Sequence, residues 1–422
     1  MVVLTMEYGL IGEKLAHSFS KIVHEKIADY SYELTEVPKD RFDRFMKSAD
    51  FKAINVTIPY KQAVIPYLNE ISDTARKIGA VNTIVNRGGR LCGYNTDFSG
   101  LKALILKNGI SLQNKKVLVL GSGGTSKTAF AVAESLGARE IYRVSRGGRD
   151  GAVTYETAVS QHSEAEIIIN TTPCGMYPNI GKTAIDINLF PNLEGAVDAV
   201  YNPLSSALVT AAREKGITAC GGLYMLVAQA VYASEKFTGT HFPENVIDSV
   251  FSEISLQKTN LVLIGMPGCG KTTAGKLLAK RLNKRFYDSD DEIVKCAGIT
   301  VPEYFAKYGE QSFRELESRV LRGLAAEQSA VIATGGGAVL NYENIRLLKE
   351  NGVIVFIDRP LERLVTSSDR PLSKNREMLE KRYNERYDIY CRAADIKIAA
   401  SDDLSENIDK IYGAFLNENS CT

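Results

Sequence analysis

KKVLVLGSGGTSKTAF, residues 115–130, and TNLVLIGMPGCGKTTAG, residues 259–275, each run an apolar strand into a glycine turn that opens a helix. Units of this kind bind phosphates, because the first N–H groups of a helix have no partner inside it and attract an anion. In both stretches a Lys-Thr pair follows the first glycine at the same distance. The sequence therefore predicts two phosphate-binding sites in one chain.

The second stretch contains a complete P-loop. Residues 265–272, GMPGCGKT, fit the pattern GxxxxGK[ST] and follow an apolar strand. The glycines let backbone N–H groups face phosphate oxygens, Lys271 adds charge at the β and γ phosphates, and Thr272 offers a hydroxyl to Mg²⁺. The pattern predicts an ATP and Mg²⁺ site formed by Gly268, Cys269, Gly270, Lys271, Thr272 and Thr273.

The first stretch lacks one part of a P-loop. Ser126 stands where the last glycine is needed, and a Cβ is disfavoured where the backbone must curl tightly round a phosphate. Gly121, Gly123 and Gly124 instead form a GxGG turn, a variant of the dinucleotide-binding GxGxxG. The first stretch is thus predicted to hold a dinucleotide.

The next predicted strand indicates which dinucleotide binds. An NAD site usually has an acidic residue at the end of this strand, where it accepts from the ribose hydroxyls. Here EIYRVSRGGR ends in Ser145 and Arg146, with Arg149 following. Positive charge at this place suits a 2′-phosphate and favours NADP(H), although a solvated basic turn would have the same letters.

The composition is that of a globular protein with more than one domain. The 422 residues exceed a typical single core, and 51 Lys and Arg against 50 Asp and Glu leave no basic excess. Seven scattered cysteines without a CxxC suit a reducing compartment, and the start lacks the pattern of a signal peptide. We therefore expect a cytoplasmic protein with small-molecule partners, no nucleic acid and no membrane, and leave a homo-oligomer open.

Strand and helix patterns alternate along the chain. From Lys115 onward apolar strands such as AEIIINTT alternate with helical segments, which favours parallel sheets covered by helices. Residues 1–98 are also mixed, and a fresh strand, LVLIG, restarts the pattern just after residues 255–259. The predicted fold class is α/β.

Three clusters follow the P-loop. Asp288 and Asp290, in FYDSDDEI, come at the end of a predicted strand, where alternate side chains face the same way. Arg314 lies on a predicted helix after a Gly-Glu turn, and Gly335–Gly337 end another strand. In this order, across residues 259–422, the P-loop and the clusters resemble the shikimate kinases.

The kinase resemblance implies roles for these residues. Thr272 and Asp288 would hold Mg²⁺, Lys271 would act in catalysis, and Arg370 of the lid would contact ATP. The sequence departs from the family at Asp388, where proline is usual, and its lid looks short. Shikimate would be held by Asp290, Arg314, Gly335, Gly336, Gly337 and Arg386.

The first half carries a second set of ordered motifs: IGEKLAHSFS, NVTIPYK, IGAVNTIV, GYNTDFSG, NTTPCGM, DAVYNP and GGLYMLVAQA. They resemble the shikimate dehydrogenases. Lys21, Gly221 and Ser145-Arg146-Gly147 depart from the usual family letters. The resemblance implies NADP contacts by Gly121, Ser122, Gly123, Gly124, Thr125, Ser145, Arg146 and Gly222. It implies substrate contacts by Ser18, Ser20, Thr57, Asn82, Asp97, Tyr201 and Gln229.

Lys61 and Asp97 are the implied catalytic pair. Reduction of a ketone creates an alkoxide that needs a proton, which a lysine ammonium can supply while a carboxylate orients it. Taken alone, Lys61 would be a surface lysine, and Asp97 would belong to a turn or cap before a helix. Their place inside two matched motifs favours catalysis.

The two resemblances imply one arrangement. An N-terminal α/β substrate domain, residues 1–98 completed by 223–255, joins a Rossmann NADP domain at 99–222 and a P-loop, NMP-kinase-like domain with a parallel sheet at 256–422. The leading hypothesis is a bifunctional enzyme of aromatic amino-acid biosynthesis that reduces 3-dehydroshikimate and phosphorylates the shikimate formed. The alternatives are a non-catalytic metabolite sensor and an NAD-dependent quinate/shikimate dehydrogenase fused to the kinase.

Overall fold

The predicted α/β class is confirmed. A computed structural model describes residues 6–15, 18–149, 151–243, 245–364 and 376–421. Two compact units divide the chain: the first comprises residues 1–176, 182–201 and 211–254, the second residues 177–181, 202–210 and 255–422. Within the described residues, no helix combines the length and apolar character needed to cross a bilayer.

A mixed six-stranded sheet begins the first unit, with strand order β2-β1-β3-β5-β6-β4. Parallel pairing joins β1 to β2 and β3, whereas β5 runs antiparallel to β3 and β6. The strands are β1 Tyr8–Gly12, β2 Glu33–Glu36, β3 Ala53–Val56, β4 Glu70–Ile71, β5 Thr83–Arg87 and β6 Arg90–Tyr94. The helices are α1 Ser20–Ile27, α2 Lys39–Ser48, α3 Asp73–Ile78 and α4 Thr96–Lys107, with a 3₁₀ turn at Ile65–Tyr67.

A parallel five-stranded sheet follows, with order β11-β10-β9-β7-β8. Its central strands are apolar and fully buried, as expected when helices cover both faces. The strands are β7 Lys116–Leu120, β8 Glu140–Val144, β9 Ile167–Asn170, β10 Gly195–Asp198 and β11 Thr218–Cys220. The helices are α5 Gly124–Ser135, α6 Tyr155–Gln161, α7 Ala207–Glu214, α8 Leu223–Thr238 and α9 Val246–Lys258, with a 3₁₀ turn at Ile187–Leu189.

The second unit contains another parallel sheet, with order β13-β14-β12-β15-β16. Its core joins the buried strands to α10 and α12–α15. The strands are β12 Asn260–Ile264, β13 Arg285–Asp288, β14 Ala330–Ala333, β15 Gly352–Asp358 and β16 Ile396–Ala399. The helices are α10 Lys271–Leu282, α11 Ser289–Ala297, α12 Val301–Ala325, α13 Tyr342–Asn351, α14 Arg376–Ala393 and α15 Leu404–Cys421, with 3₁₀ turns at Ala338–Leu340 and Leu361–Arg363.

One prediction about local structure is wrong. Asp290 was expected on a strand, in alternation with Asp288, but β13 ends at Asp288 and Asp290 lies in the first turn of α11. The helix begins there because the Asp288 side chain accepts from the Asp290 N–H at 3.0 Å, and three acidic residues in the first turn favour the positive end of the helix.

Candidate active sites

One edge of the six-stranded sheet gathers most of the residues predicted for the dehydrogenase substrate site. The carboxyl ends of the parallel strands β1 and β3 meet there, and Ser18, Thr57 and Lys61 follow those ends. Antiparallel pairing brings the start of β5 and the end of β6 to the same edge. Asn82 precedes β5 and Asp97 follows β6, so residues far apart in sequence become neighbours.

Lys61 and Asp97 form an ion pair. Lys61 Nζ lies 2.5 Å from Asp97 Oδ2, and both side chains are largely buried, at 14% and 9% exposure. Asn95 caps α4 by accepting from the Phe98 N–H at 3.0 Å, which fixes Asp97 in the first helical turn. The pair can hold a proton beside a bound carbonyl oxygen in a partly dry site.

A buried amide network lies beside this pair. Asn82 accepts from the Thr96 N–H at 2.7 Å and donates to the Thr96 hydroxyl at 3.0 Å. Asn82 also donates to Gln229 Oε1 at 3.4 Å, which joins α8 to the sheet edge. α8 approaches α4 closely at Gly100, where a Cβ would lie 2.7 Å from the Met225 carbonyl oxygen. Thr96 was not predicted, although its place between Asn95 and Asp97 was a usable signal.

Ser18 and Ser20 form a second polar group with Tyr201. Ser18 Oγ donates to Ser20 Oγ at 3.1 Å and accepts from the Ser20 N–H at 3.2 Å. Burial raises the pKa of Tyr201, although hydrogen bonds with the Ser18 side chain and the Phe19 backbone oppose that shift. Three hydroxyl groups thus lie together, a suitable donor set for a carboxylate.

The glycine turn after β7 opens α5. Gly121 has a φ of 122°, and a Cβ there would lie 2.6 Å from Thr171 Oγ1, so only glycine fits. A Cβ at Gly123 would meet nothing within 4 Å, which leaves open space above the first N–H groups of the helix. Ser126 is 1% exposed and donates to the Gly121 carbonyl at 2.8 Å. The turn, which includes Ser122 and Thr125, therefore offers backbone N–H donors to an anion.

The other predicted NADP contacts also follow strands of this sheet. Ser145 and Arg146 directly follow β8, which pairs with β7, and the Arg146 side chain is exposed. Gly222 precedes α8, and a Cβ there would lie 2.3 Å from the Ala199 carbonyl oxygen, so glycine is required for this close approach. The site therefore has an open turn and a nearby guanidinium, which fit the two phosphate regions of NADP(H).

Lys61 also lies near the glycine turn. A Cβ added to Gly124 would lie 3.5 Å from Lys61 Cδ, an ordinary van der Waals distance. Lys127, next along the helix, donates to Gln62 at 3.4 Å instead of serving as a P-loop lysine. The Lys61–Asp97 pair and the dinucleotide turn are thus close together within the first unit.

The P-loop of the second unit has the expected backbone. Gly265, Gly268 and Gly270 have φ values of 148°, 83° and 100°, all in the region that favours glycine. Lys271 starts α10, and its ammonium donates to the carbonyls of Gly265 at 2.8 Å and Met266 at 3.1 Å. The Lys271 ammonium therefore lies against the backbone of the P-loop itself. Cys269 is buried within the loop, and Thr273 is exposed on α10.

Thr272 and Asp288 meet beside the loop. The Thr272 hydroxyl donates to Asp288 Oδ2 at 2.7 Å. One hydroxyl and one carboxylate fit Mg²⁺ that is bound mainly through phosphate oxygens and water. Both predicted Mg²⁺ contacts thus lie together.

A triple-glycine turn brings the predicted kinase substrate residues together. A Cβ on Gly335 would lie 2.7 Å from Asp290 Oδ1, and one on Gly337 would lie 2.1 Å from Arg314 Nη1. Arg386 is 7% exposed and donates to the Gly336 carbonyl at 2.9 Å. Asp290 therefore reaches this turn from the helix α11.

Glu317 holds Arg314 in place. No role was predicted for Glu317 from the sequence. Glu317 is 2% exposed and accepts from Arg314 Nη1 at 2.7 Å. Burial raises the pKa of Glu317, and Arg314 opposes that shift. The spacing of three residues on a helix was the available signal, because i and i+3 side chains are neighbours. Glu317 thus orients an arginine without being exposed itself.

Two expectations concern the lid. Arg370 lies outside the described residues. Asp388, where the family pattern has proline, lies within the continuous helix α14, and Arg386, two residues before it, still reaches Gly336.

These geometries define two classes of protein in one chain. The first unit has the parallel sheet, glycine turn and lysine–carboxylate pair of a dinucleotide-dependent oxidoreductase. The second unit has the P-loop of a phosphotransferase, with two arginines at the triple-glycine turn.

Comparison with known proteins identifies the families. Residues 10–84 match the family model "Shikimate dehydrogenase substrate binding domain", and residues 267–415 match "Shikimate kinase". The shikimate dehydrogenase (NADP(+)) of Clostridium beijerinckii is 35% identical over 260 residues, covering 58% of this chain and 96% of the relative. The chain therefore belongs to the shikimate dehydrogenase family and also carries a shikimate kinase domain.

Two solved structures resemble the first part of the chain. Shikimate dehydrogenase 1 from Peptoclostridium difficile has a TM-score of 0.56 and 32% identity, covering 60% of this chain and 98% of its own. Shikimate 5-dehydrogenase from Thermus thermophilus, in complex with NADP(H) and shikimate, has a TM-score of 0.53 and 28% identity, covering 59% and 99%.

Proposed function

We propose that this chain reduces 3-dehydroshikimate to shikimate with NADPH and then phosphorylates shikimate to shikimate 3-phosphate with ATP and Mg²⁺. The observation that carries the proposal is the Lys61–Asp97 pair, at 2.5 Å, close to a dinucleotide turn in a chain that also holds a complete P-loop. The two reactions are consecutive, because the alcohol made by the first is the acceptor of the second.

In the reduction, Lys61 and Asp97 would handle the proton. Bound NADPH would supply the reducing equivalent to the substrate carbonyl carbon. The Lys61 ammonium would donate its proton to the oxygen as charge develops there, and the Asp97 carboxylate would hold the ammonium in place. Ser18, Ser20 and Tyr201 would bind the substrate carboxylate, while Thr57, Asn82 and Gln229 would contact ring hydroxyls or their neighbours.

In the phosphorylation, positioning and charge neutralisation would supply most of the catalysis. Lys271 and Mg²⁺ at Thr272 and Asp288 would neutralise the phosphates. Arg314 and Arg386 would grip the substrate carboxylate, and Asp290 would lie beside the ring hydroxyls at the glycine turn. An arginine–carboxylate grip suits a small acid because the planar guanidinium and the planar carboxylate can form two parallel hydrogen bonds.

The predicted domain limits stay part of this proposal: substrate domain at residues 1–98 with 223–255, NADP domain at 99–222 and kinase domain at 256–422. We also expect the enzyme in the cytoplasm, where NADPH and ATP are both available. Formation of a homo-oligomer stays a prediction, which a mass measurement by light scattering can test.

A coupled assay tests the function. The chain is given 3-dehydroshikimate, NADPH and MgATP, and shikimate 3-phosphate is measured by mass spectrometry together with NADPH oxidation. We expect both signals, with no product phosphate when ATP is left out and no NADPH oxidation without 3-dehydroshikimate. Binding of substrates without turnover would overturn the proposal in favour of a non-catalytic sensor. Faster turnover with NADH than with NADPH would favour the NAD-dependent alternative.

A further inference from the structure

Arg382 lies one helical turn before Arg386 on α14. Residues at i and i+4 share a helix face, so Arg382 is on the face from which Arg386 reaches the Gly336 carbonyl at 2.9 Å. Arg382 is only partly exposed, whereas the neighbouring Lys381 side chain is 78% exposed. Position on the helix therefore directs Arg382 toward the glycine turn and Lys381 toward solvent.

Arg382 lies among charged side chains of both signs. Burial lowers the pKa of its guanidinium, and Arg386 and Arg314 lower it further, while Glu310 and Glu385 oppose the shift. Arg314 already pairs with Glu317 at 2.7 Å and Glu310 at 3.3 Å. Among the described residues, Arg382 has no side-chain hydrogen bond or ion pair. The guanidinium of Arg382 is partly buried without such a partner, and an anionic ligand would supply the acceptors that it lacks.

We propose that Arg382 is a third arginine for the carboxylate of the kinase substrate, acting with Arg314 and Arg386. This inference rests on the proposed function of the second unit. The carboxylate is the expected occupant because the two arginines that act on Arg382, Arg386 and Arg314, are those that the proposed function gives to the substrate carboxylate. The substrate anion would supply the negative charge that these three guanidinium groups share.

Steady-state kinase kinetics test the assignment. ADP release by the full chain is measured without NADP(H), with shikimate or its methyl ester as acceptor. The variants are Arg382→Leu, Arg382→Lys and, as a control for loss of one positive charge on the same helix, Lys381→Leu. We expect Arg382→Leu to raise the KM for shikimate about 10- to 100-fold, with kcat and the KM for ATP changed by less than about 3-fold.

The ester separates charge recognition from helix structure. With methyl shikimate, Arg382→Leu and the unchanged chain should differ by less than about 3-fold, because the acceptor has lost its charge. Arg382→Lys should recover part of the affinity for shikimate. Equal loss with acid and ester, a raised KM for ATP alone, or an effect matched by Lys381→Leu would each overturn the inference. If the unchanged chain released no ADP with shikimate, the proposed function itself would fail.

Discussion

At the scale of single residues, Ser126 and Gly270 separate two glycine turns that look alike in sequence. Ser126 is buried and donates to the Gly121 carbonyl at 2.8 Å, which closes the first turn as a strand-to-helix connection. Gly270 has a φ of 100°, a conformation in which a side chain is strained. One Cβ thus distinguishes a dinucleotide turn from a P-loop, and this difference was readable from the sequence.

Replacement of Asp97 tests the proton-handling pair. In Asp97→Asn the Lys61 ammonium loses its buried carboxylate partner at 2.5 Å. We expect the dehydrogenase kcat to fall roughly 10²- to 10⁴-fold, because general acid catalysis commonly contributes that much. The kinase activity of the same sample serves as the folding control and should stay within about 2-fold. A dehydrogenase rate that stays unchanged would rule out this role.

Replacement of Arg146 tests the cofactor preference. Arg146→Ala should raise the KM for NADPH roughly 10- to 100-fold and change that for NADH little, because only NADPH carries the 2′-phosphate. Arg139→Ala is the matched control, since Arg139 precedes β8 at the opposite end of the strand. Equal losses with both nucleotides would count against a 2′-phosphate contact.

At the scale of elements, helix starts and glycine turns set the kinase geometry. The Asp-Ser-Asp pattern suggested a strand with two carboxylates on one face, but a strand of four residues gives way to a capped helix. The acidic run after Asp288 was the signal for that helix start. Contact of Asp290 with Gly335 was not deducible from the sequence, because β13 and β14 first become neighbours in the folded sheet.

A methyl group on Gly337 should disturb the substrate arginine. Its Cβ would lie 2.1 Å from Arg314 Nη1, so Gly337→Ala must displace the guanidinium. We expect the KM for shikimate to rise roughly tenfold or more, because one charge-assisted grip is lost. Gly323→Ala on α12 is the control, since its Cβ would meet nothing within 4 Å. Similar KM values for the two variants would show that Arg314 does not need this space.

Glu350 gives the second unit a pH-dependent stability. This carboxyl is fully buried at the end of α13, and burial raises its pKa from 4.5 to about 7. Glu350 Oε2 accepts from the Gly181 N–H at 3.1 Å, while Oε1 has no partner among the described residues. Folding therefore takes up a proton between about pH 4.5 and 7, and stability falls as pH rises through that window.

The variant Glu350→Gln should remove this dependence. At pH 8 we expect it to stabilise the second unit by about 1–3 kcal/mol, and near pH 4.5 to change stability little, because the native acid is then largely neutral. Calorimetry at several pH values measures the effect. Glu343→Gln on the same helix is the control with the opposite sign, since Arg346 lowers the pKa of Glu343. A destabilised Glu350→Gln at pH 8 would contradict this account.

At the scale of the whole molecule, the residues proposed for the two sites are different and lie in different units. The dehydrogenase pair and turn belong to the first unit, and the P-loop and arginines belong to the second. A single substitution should therefore remove one activity and leave the other. The product of one site is chemically the substrate of the other, so the two activities can also be tested together in one reaction.

Mixing two inactive variants tests this separation. Lys61→Ala should lose the reduction and Lys271→Ala the phosphorylation, so neither alone converts 3-dehydroshikimate to shikimate 3-phosphate. Their mixture should make the product after a lag, because shikimate must leave one chain and reach another. The time course by mass spectrometry is compared with that of the unchanged chain. No product from the mixture, although each variant keeps its other activity, would contradict independent sites.

The sequence by itself determined the α/β class, the two phosphate-binding turns and the two families, because these depend on local patterns: buried apolar strands, glycines at fixed spacing and short motifs. The tertiary structure decided which distant residues meet. Asn82 reaches Gln229, Lys61 lies near Gly124, and Arg386 reaches Gly336 only because sheet pairing and helix packing close long loops. Contacts in the folded chain also group residues 177–181 and 202–210 with the second unit, although the predicted limits include them in the NADP domain at 99–222. Contacts between residues far apart in sequence depend on the packing of the whole fold, which a local pattern cannot specify.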